Sequence, residues 1–229
     1  MKKLIGFIFL ALLLASCSNK KEQLSVNPHF NYFYSVDTIP KIYLFRDVAH
    51  GLDEQFHRIY ALNDSEGKHI IVEVYAADGR IIEALNYNVD SLDVMDHMVV
   101  NRNQEKTKAE LFKNKLIPLN NVDEVWFASR FQGFLDSTLI LKEIKRKVGG
   151  PEISHEVLGE KTPTIIMKDK VRLTSFNPYT KKENLLQGEA VNYFSEGYGL
   201  VEWHTPDKKV HYKLEKIMDQ AQWLSIITR

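Results

Sequence analysis

The chain has 229 residues, and its 30 Lys and Arg side chains balance its 30 Asp and Glu side chains. A chain without a basic excess lacks the electrostatic signature of a nucleic-acid-binding protein, so we expect no nucleic-acid partner. A single cysteine, Cys17, excludes a disulfide within the chain. Stability must therefore come from packing, for which the 12 Phe, 10 Tyr and 3 Trp residues provide the material.

The N-terminus has the layout of a secretory signal peptide. Met1-Lys2-Lys3 is a short basic start, residues 4–14 are almost entirely apolar, and two small residues precede Cys17. The apolar stretch is shorter than the roughly 20 residues that a membrane-spanning helix needs. Polar sequence follows Cys17 at once, which argues against a buried core helix. We therefore expect residues 1–16 to be removed on export.

The residues Leu14-Ala15-Ser16-Cys17 closely resemble the lipobox of bacterial lipoproteins. The resemblance implies that the Cys17 thiol receives a diacylglyceryl group, that cleavage occurs just before Cys17, and that fatty acids such as palmitate form the anchor. Two or more acyl chains hold a protein stably on a membrane where one does not. The membrane is thus an expected partner through Cys17, and residues 17–38 are expected to form the lipidated N-terminus and a tether.

The residue after Cys17 bears on which membrane holds the anchor. It is Ser18 rather than Asp. By resemblance to lipoprotein sorting in enteric bacteria, the lack of this inner-membrane retention residue favours the outer membrane. The following segment is also unlike the acidic run linked to surface export in Bacteroidetes-type lipoproteins. We expect the domain to face the periplasm.

The second half of the tether is unusually aromatic. Phe30-Asn31-Tyr32-Phe33-Tyr34 carries four rings in five residues. The favoured interpretation is that these rings pack on the domain or enter its core. The alternative is an aromatic lip for an apolar ligand.

From Ile39 onward, short runs rich in β-branched and aromatic residues alternate with turn signals, which is typical of an all-β protein. We predict a mainly β fold for a single domain, 39–229: a curved antiparallel sheet, half-barrel or sandwich of roughly 10–13 strands with little helix. Residues 103–114 also have helical propensity, so their assignment as a strand stays open. The candidate strands are 41–47, 54–62, 68–76, 81–89, 93–101, 107–115, 124–131, 136–147, 163–168, 170–176, 189–195, 199–205 and 210–216.

Two hairpins have a predictable register. Asp78-Gly79 is a strong two-residue turn signal. With that loop, Val72 lies opposite Leu85 and Ile81 lies opposite Ala76, which sorts most apolar residues onto one face.

The second hairpin joins 200–205 to 210–215 through the loop Pro206-Asp207-Lys208-Lys209. A four-residue loop places Trp203 opposite Tyr212, Glu202 opposite Lys213 and His204 opposite His211. A three-residue loop loses the Trp203–Tyr212 pair and the ion pair, so we favour the four-residue loop.

The run Tyr193-Phe194-Ser195-Glu196-Gly197-Tyr198-Gly199-Leu200-Val201-Glu202 resembles a strand–turn–strand element of exported bacterial β proteins of the domain-of-unknown-function 3108 type. The resemblance covers about ten residues. It implies a curved antiparallel sheet, related in shape to the half-barrels of periplasmic lipoprotein carriers, and it implies no catalytic residues. The two glycines around Tyr198 would permit a bulge or tight turn.

Motifs for catalysis or cofactor binding do not stand out, and we expect no catalytic residue, cofactor or metal. The best candidate for a metal site is the cross-strand pair His204 and His211, completed by Glu202 or Glu215. A pair of histidines on a polar sheet face is the favoured interpretation. The basic stretch 142–147 is interpreted as a solvated strand face. Asp96 and His97 should point to opposite faces, so they should not share a site.

Two functional hypotheses remain. The first is a non-enzymatic cell-envelope lipoprotein whose β domain binds an apolar ligand, a lipid or an envelope protein. The second is an envelope hydrolase that acts on a glycan or another polymer through convergent carboxylates or a histidine-based metal site. A deep apolar concavity would favour a lipid carrier, and a filled sheet would favour an assembly role.

Overall fold

The computed structural model describes residues 29–228 except 52, 102, 104, 119–123 and 134–136. The predicted signal peptide and Cys17 therefore lie outside the described residues. The described residues form one 14-stranded antiparallel sheet and one short helix. The strands are β1 (Lys41–Asp47), β2 (Glu54–Asp64), β3 (Gly67–Ala76), β4 (Ile81–Asn88), β5 (Val94–Val100), β6 (Lys106–Lys108), β7 (Glu110–Asn114), β8 (Val125–Gln132), β9 (Leu139–Val148), β10 (Ile153–Val157), β11 (Glu160–Asn177), β12 (Lys182–Ser195), β13 (Gly199–His204) and β14 (His211–Met218).

The sheet curls until it is nearly closed into a barrel. Its order is β6-β5-β4-β3-β2-β1-β14-β13-β12-β11-β9-β8-β7, with β10 paired on β11. The two edge strands, β6 and β7, are consecutive in the chain and are separated only by Ala109. The Ala109 N–H donates to the His97 carbonyl at 2.8 Å, and an isolated bridge joins Asp93 to Lys115. The chain thus closes the barrel by crossing from one edge of the sheet to the other.

Aromatic side chains fill the interior of the barrel. Phe45 and Phe127 are fully buried there, and Tyr43, Tyr87 and Phe194 pack in the same cluster. A side chain of this size removes a large apolar area from water. The interior is therefore a packed core at this level of the barrel.

The helix α1 (Gln220–Ile227) covers part of the outer face. Trp223 is buried against Ile42, Phe56 and Met218, which form a second apolar cluster. The Asp219 carboxylate accepts from the Gln222 N–H, and the Gln222 side chain bonds the Asp219 N–H in return. This capping box fixes the start of the helix. Among the described residues, no helix is long and apolar enough to cross a membrane.

Residues 29–34, which we call the aromatic tether segment, dock on the barrel and enter its core. A 3-10 turn, Phe30–Tyr32, precedes Phe33 and Tyr34, which are both buried in the interior cluster. The Phe33 ring lies edge-on to the Tyr87 ring, with centroids 4.9 Å apart. Packing of these rings is the interpretation that the sequence favours, and the structure confirms it.

The mainly β, curved antiparallel fold is confirmed, and 14 strands slightly exceed the expected number. The four-residue loop of the second hairpin is also confirmed, because Glu202, Trp203 and His204 pair with Lys213, Tyr212 and His211. Most of the first hairpin is right, including Val72 opposite Leu85.

The strand assignments differ from the structure in several places: the strand β10 was not predicted, and β12 begins at Lys182 rather than at residue 189. In the β3–β4 hairpin, Ile81 pairs with Tyr75 rather than Ala76, because a bulge after Val74 shifts the register and the loop is longer than two residues. The segments 163–168 and 170–176 are one continuous strand, β11. The segment 107–115 is split at Ala109 into β6 and β7, and no helix forms in its described residues.

Candidate functional site

The main surface groove of interest lies on the outside of the barrel, across strands β8, β9, β11 and β12. Its volume is about 610 Å³. We call it the outer groove. Its lining residues are Trp126, Glu143, Lys145, Lys170, Val171, Arg172, Gln187, Gly188 and Glu189.

The register of the four strands explains why these side chains meet. Directly opposite residues in an antiparallel ladder project from the same face. Trp126 pairs with Lys145, Lys145 with Lys170, and Lys170 with Glu189, which gives one row across the outer face. A second row, two residues further along, contains Glu143, Arg172 and Gln187.

Trp126 is the aromatic platform of the outer groove. Its side chain is 39% exposed. The Lys113 and Lys145 ammonium groups each lie 5.4 Å from the centre of its ring system. This distance is within range of a cation–π attraction, so both cations are held beside the ring.

The outer groove is electropositive. Arg172 contacts Glu143 at 3.7 Å, which neutralises part of the charge. A smaller cavity of about 170 Å³ continues along the same strands and adds two further lysines. The cations that line the two cavities are Lys145, Lys147, Lys168, Lys170 and Arg172, and Lys113 adds a sixth beside Trp126. They outnumber the solvent-facing acids Glu124, Glu143 and Glu189.

A polar network inside the barrel has the residue types of a catalytic triad. The His97 Nδ1 lies 2.9 Å from the Ser129 Oγ, and the His97 Nε2 lies 3.1 Å from the Glu83 Oε2. The Lys142 ammonium donates to the same Glu83 oxygen at 2.7 Å. Burial alone raises the pKa of Glu83, but Lys142 and His97 outweigh it and hold that pKa well below its usual range.

The position of this network argues against a nucleophilic role. Ser129 and His97 are fully buried. Ser129 also lies in the middle of β8, paired with Leu111 on one side and Lys142 on the other. Its backbone is therefore part of the sheet ladder rather than an oxyanion-binding turn. The network satisfies buried polar groups near one end of the packed interior.

His57 is a buried histidine in the same interior. Its ring stacks at an angle on Phe45, with centroids 4.5 Å apart. Burial lowers the pKa of His57 to about 4, although the Glu83 charge opposes this shift. The ring is therefore neutral at pH 7.

The two histidines predicted as a candidate metal pair are neighbours on β13 and β14. The ring centroids of His204 and His211 are 5.2 Å apart. Their ring nitrogens have other partners: the His204 Nδ1 bonds the Thr205 carbonyl at 2.8 Å, and the His211 Nε2 lies 2.7 Å from the Glu202 Oε1. Within the part of the chain that the structure describes, no group of His, Cys, Asp and Glu side chains has the arrangement of a metal site.

Glu202 is the centre of this second cluster. It accepts from His211, and its other oxygen lies 3.1 Å from the His155 Nε2 and 3.3 Å from the Lys213 Nζ. Burial raises the pKa of Glu202, but His211 and Lys213 lower it further, and the net pKa is below its usual value. Glu202 is thus a buried carboxylate held by Lys213 and by two histidine rings. Glu215 pairs elsewhere, with Arg46 at 2.7 Å.

Two further predictions concern polar residues near the strands. Asp96 and His97 do point to opposite faces, since Asp96 pairs with Lys108 on the outside. The stretch 142–147 is only half a solvated face: Lys145 and Lys147 are exposed, whereas Arg146 is buried and Lys142 points inward to Glu83. The interpretation of the whole stretch as solvated is therefore wrong for two of its cations.

The sequence analysis missed the outer groove. One signal was present: cations alternate at 145 and 147 and again at 168, 170 and 172, as expected for one face of a strand. What brings the two runs together is the β9–β11 register, which pairs Lys145 with Lys170.

Comparison with protein-family models finds no match, and no curated protein matches the chain. Two solved structures are similar in outline. One is a candidate exported protein with a YmcC-like fold from Bacteroides fragilis, with a TM-score of 0.42 and 13% identity, covering 82% of this chain and 99% of the other. The second is a candidate lipoprotein from Parabacteroides distasonis, with a TM-score of 0.47 and 12% identity, covering 82% of this chain and 98% of the other.

Proposed function

We propose that this chain is a non-enzymatic lipoprotein of the bacterial cell envelope that binds an acidic glycan through the outer groove. Cys17 would hold it in the outer membrane, with the domain facing the periplasm. The lipobox Leu14-Ala15-Ser16-Cys17 supports the anchor, and Ser18 supports the choice of membrane.

The observation that carries the binding role is the contrast between the inside and the outside of the barrel. Aromatic side chains fill the interior, where a carrier would hold a lipid. The outer groove is open, and it combines an exposed Trp126 with charged and amide side chains. A binding site needs both shape and convergent polar groups, and the outer groove has both.

The chemistry of the outer groove fits a sugar polymer with carboxylate or phosphate groups. The flat face of Trp126 can cover the apolar face of a sugar ring while its N–H remains available for a hydrogen bond. Lys145, Lys170 and Arg172 offer charge-assisted hydrogen bonds to anions. Gln187 and Glu189 supply acceptors for hydroxyl groups.

The burial and the contacts of the candidate catalytic residues favour binding over hydrolysis. The hydrolase hypothesis needs an accessible nucleophile, metal site or carboxylate pair. The described Ser129–His97–Glu83 set has its serine and histidine fully buried. Near Glu202, His155 and His211 contact that carboxylate, and His204 bonds the Thr205 carbonyl.

We expect Trp126→Ala to weaken glycan binding about tenfold, because the loss of the aromatic platform under a sugar ring is worth about 1–2 kcal/mol. The measurement is a binding isotherm of the full-length lipidated protein in detergent with polygalacturonate, repeated at increasing salt. Affinity should fall with ionic strength, and neutral dextran should bind poorly.

Tyr179→Ala is the matched control, since Tyr179 is 81% exposed but lies outside the outer groove. It should bind as the wild type does. The proposal is wrong if Trp126→Ala binds equally well. It is also wrong if the protein prefers phosphatidylglycerol vesicles, or if it binds neither polygalacturonate nor acidic polysaccharide extracted from the producing cells.

We expect Cys17→Ser to abolish incorporation of radiolabelled palmitate and to release the protein from the membrane fraction, because no other cysteine can take the lipid. Ser18→Ala, which leaves the thiol in place, should stay labelled and membrane-bound. A Cys17→Ser protein that remains labelled in the membrane would show that the anchor lies elsewhere.

A further inference from the structure

Among the described residues, the outer half of β12 has no pairing partner on one side and forms a sheet edge. On one side, β12 pairs with β11 along its whole length, from Lys182 to Ser195. On the other side, β13 pairs only with Val191–Ser195. Residues 182–190 therefore expose a row of backbone N–H and C=O groups on the side away from β11.

This edge carries the charges of Lys182, Glu183 and Glu189, but it lacks two other features by which sheet edges avoid association. It contains no proline, and its ladder with β11 shows no bulge. Leu185 and Leu186 project from its two faces and are 49% and 67% exposed. A long, regular edge with exposed apolar residues is a template for another strand.

We propose that a second copy of this chain pairs with this edge, antiparallel, about a two-fold axis at Leu185. A two-fold axis that relates two antiparallel strands is perpendicular to the sheet. Two residues that lie opposite each other must therefore project from the same side of the sheet. The two-fold axis must therefore pass beside one residue, which pairs with the same residue of the other copy, and not between two residues. Centring on Leu186 would place Glu183 opposite Glu189 of the other copy, and like charges at opposite positions are unfavourable.

Centring on Leu185 gives complementary partners along the edge. Leu185 faces its own copy, and Glu183 lies opposite Gln187, which can donate to it. Lys181 lies in the turn just before β12 with φ +55°, and its long side chain would reach Glu189 of the other copy as an ion pair. Symmetry repeats both polar pairs, so four polar contacts flank one apolar contact.

The pairing would also join two outer grooves. Gln187 and Glu189 line the outer groove and lie at the paired edge. The two grooves would then meet across the axis, and a polymer that spans both would gain avidity from simultaneous contacts. The strand pairing itself does not depend on which ligand the outer groove takes.

Disulfide cross-linking in intact envelopes tests the register. Lipidation blocks Cys17, so Leu185→Cys would carry the one free thiol. Side chains directly opposite in an antiparallel pair have Cβ atoms about 4.5–5.5 Å apart, close to the reach of a disulfide. Copper–phenanthroline should convert most of Leu185→Cys to a dimer of twice the chain mass, while the wild type stays monomeric on the gel.

Gln187→Cys is the matched control on the same face. In the proposed register, residue 187 of one copy and residue 187 of the other are four residues apart along the strands, about 13 Å, so this variant should cross-link poorly. Adding Glu183→Cys places a thiol opposite it and should restore the dimer. Equal cross-linking of Gln187→Cys and Leu185→Cys would overturn the register, and a product of another mass would assign the edge to a different partner.

Charge exchange gives a second test without cysteines. Glu189→Lys should raise the concentration at which the purified dimer dissociates roughly tenfold, because two ion pairs become two repulsions. Adding Lys181→Glu should restore the dimer. A purified wild-type protein that stays monomeric by sedimentation, together with absent cross-links in envelopes, would overturn the proposal and leave the glycan measurement unaffected.

Discussion

Replacing Asp169 with leucine is expected to lower the free energy of unfolding by about 3–5 kcal/mol, because it leaves a buried guanidinium without its counter-ion. The Arg146 Nε and Nη2 donate to the two Asp169 oxygens at 2.7 and 2.8 Å. The side chains are only 8% and 5% exposed. The remaining Arg146 nitrogen reaches the Leu116 carbonyl at 3.3 Å, which cannot neutralise the charge.

The net contribution of the Arg146–Asp169 pair to the free energy of unfolding should be much smaller than this loss. The double variant Arg146→Met/Asp169→Leu removes both charges and should recover most of the stability, since an apolar pair of similar volume avoids desolvation of the ions. Urea unfolding of the three proteins measures the difference.

Glu143→Leu is the matched control, because Glu143 also pairs with an arginine across β9 and β11, Arg172, but on the outer face. It should cost less than about 1 kcal/mol, as exposed ion pairs do. A loss below 1 kcal/mol for Asp169→Leu would show that water reaches Arg146 and that the interior is not packed at this level.

Local patterns were sufficient to predict most of the strands and the β13–β14 hairpin. Alternating and β-branched residues mark strands directly, and complementary pairs such as Trp203–Tyr212 distinguish one loop length from another. The β3–β4 turn was predicted less well. Asp78-Gly79 gives the position of the turn, but the bulge after Val74 depends on packing that the turn residues do not encode.

The strand β10 and the helix α1 were not predicted, for a different reason. β10 has five residues between Pro151 and Gly159, too few for periodicity to stand out. α1 has eight residues, and its signal is the capping box from Asp219 to Gln222 rather than an apolar stripe. That box is visible in the sequence and could have predicted the helix.

The outer groove and the Arg146–Asp169 pair could not be predicted because they depend on pairing between distant segments. The sequence alone shows Arg146 in a basic run, where every cation looks solvated. The register places Arg146 opposite Asp169 on the inner face and Lys145 opposite Lys170 on the outer face. A shift of one residue would exchange the two faces, so only the long-range register separates a buried ion pair from a binding surface.

Gly199→Ala is expected to destabilise the protein by about 3–5 kcal/mol and to detach the aromatic tether segment, because Gly199 and Tyr34 pack too closely for a methyl group. A Cβ at Gly199 would lie less than 3.0 Å from three atoms of the Tyr34 ring. The ring would have to leave the core, and loss of a buried aromatic side chain costs this much. The backbone at Gly199 also has φ +80°, which disfavours alanine.

Gly197→Ala separates the effect of the clash with Tyr34 from the effect of the backbone conformation. Gly197 has φ +76°, but a Cβ there meets nothing within 4 Å, so alanine should cost only about 1–2 kcal/mol. Urea unfolding gives the stabilities, and limited proteolysis before Phe33 reports on the tether. Faster cleavage in Gly199→Ala alone would show that the Tyr34 ring holds residues 29–34 on the barrel. Equal effects of the two substitutions would instead assign the role of Gly199 to backbone conformation.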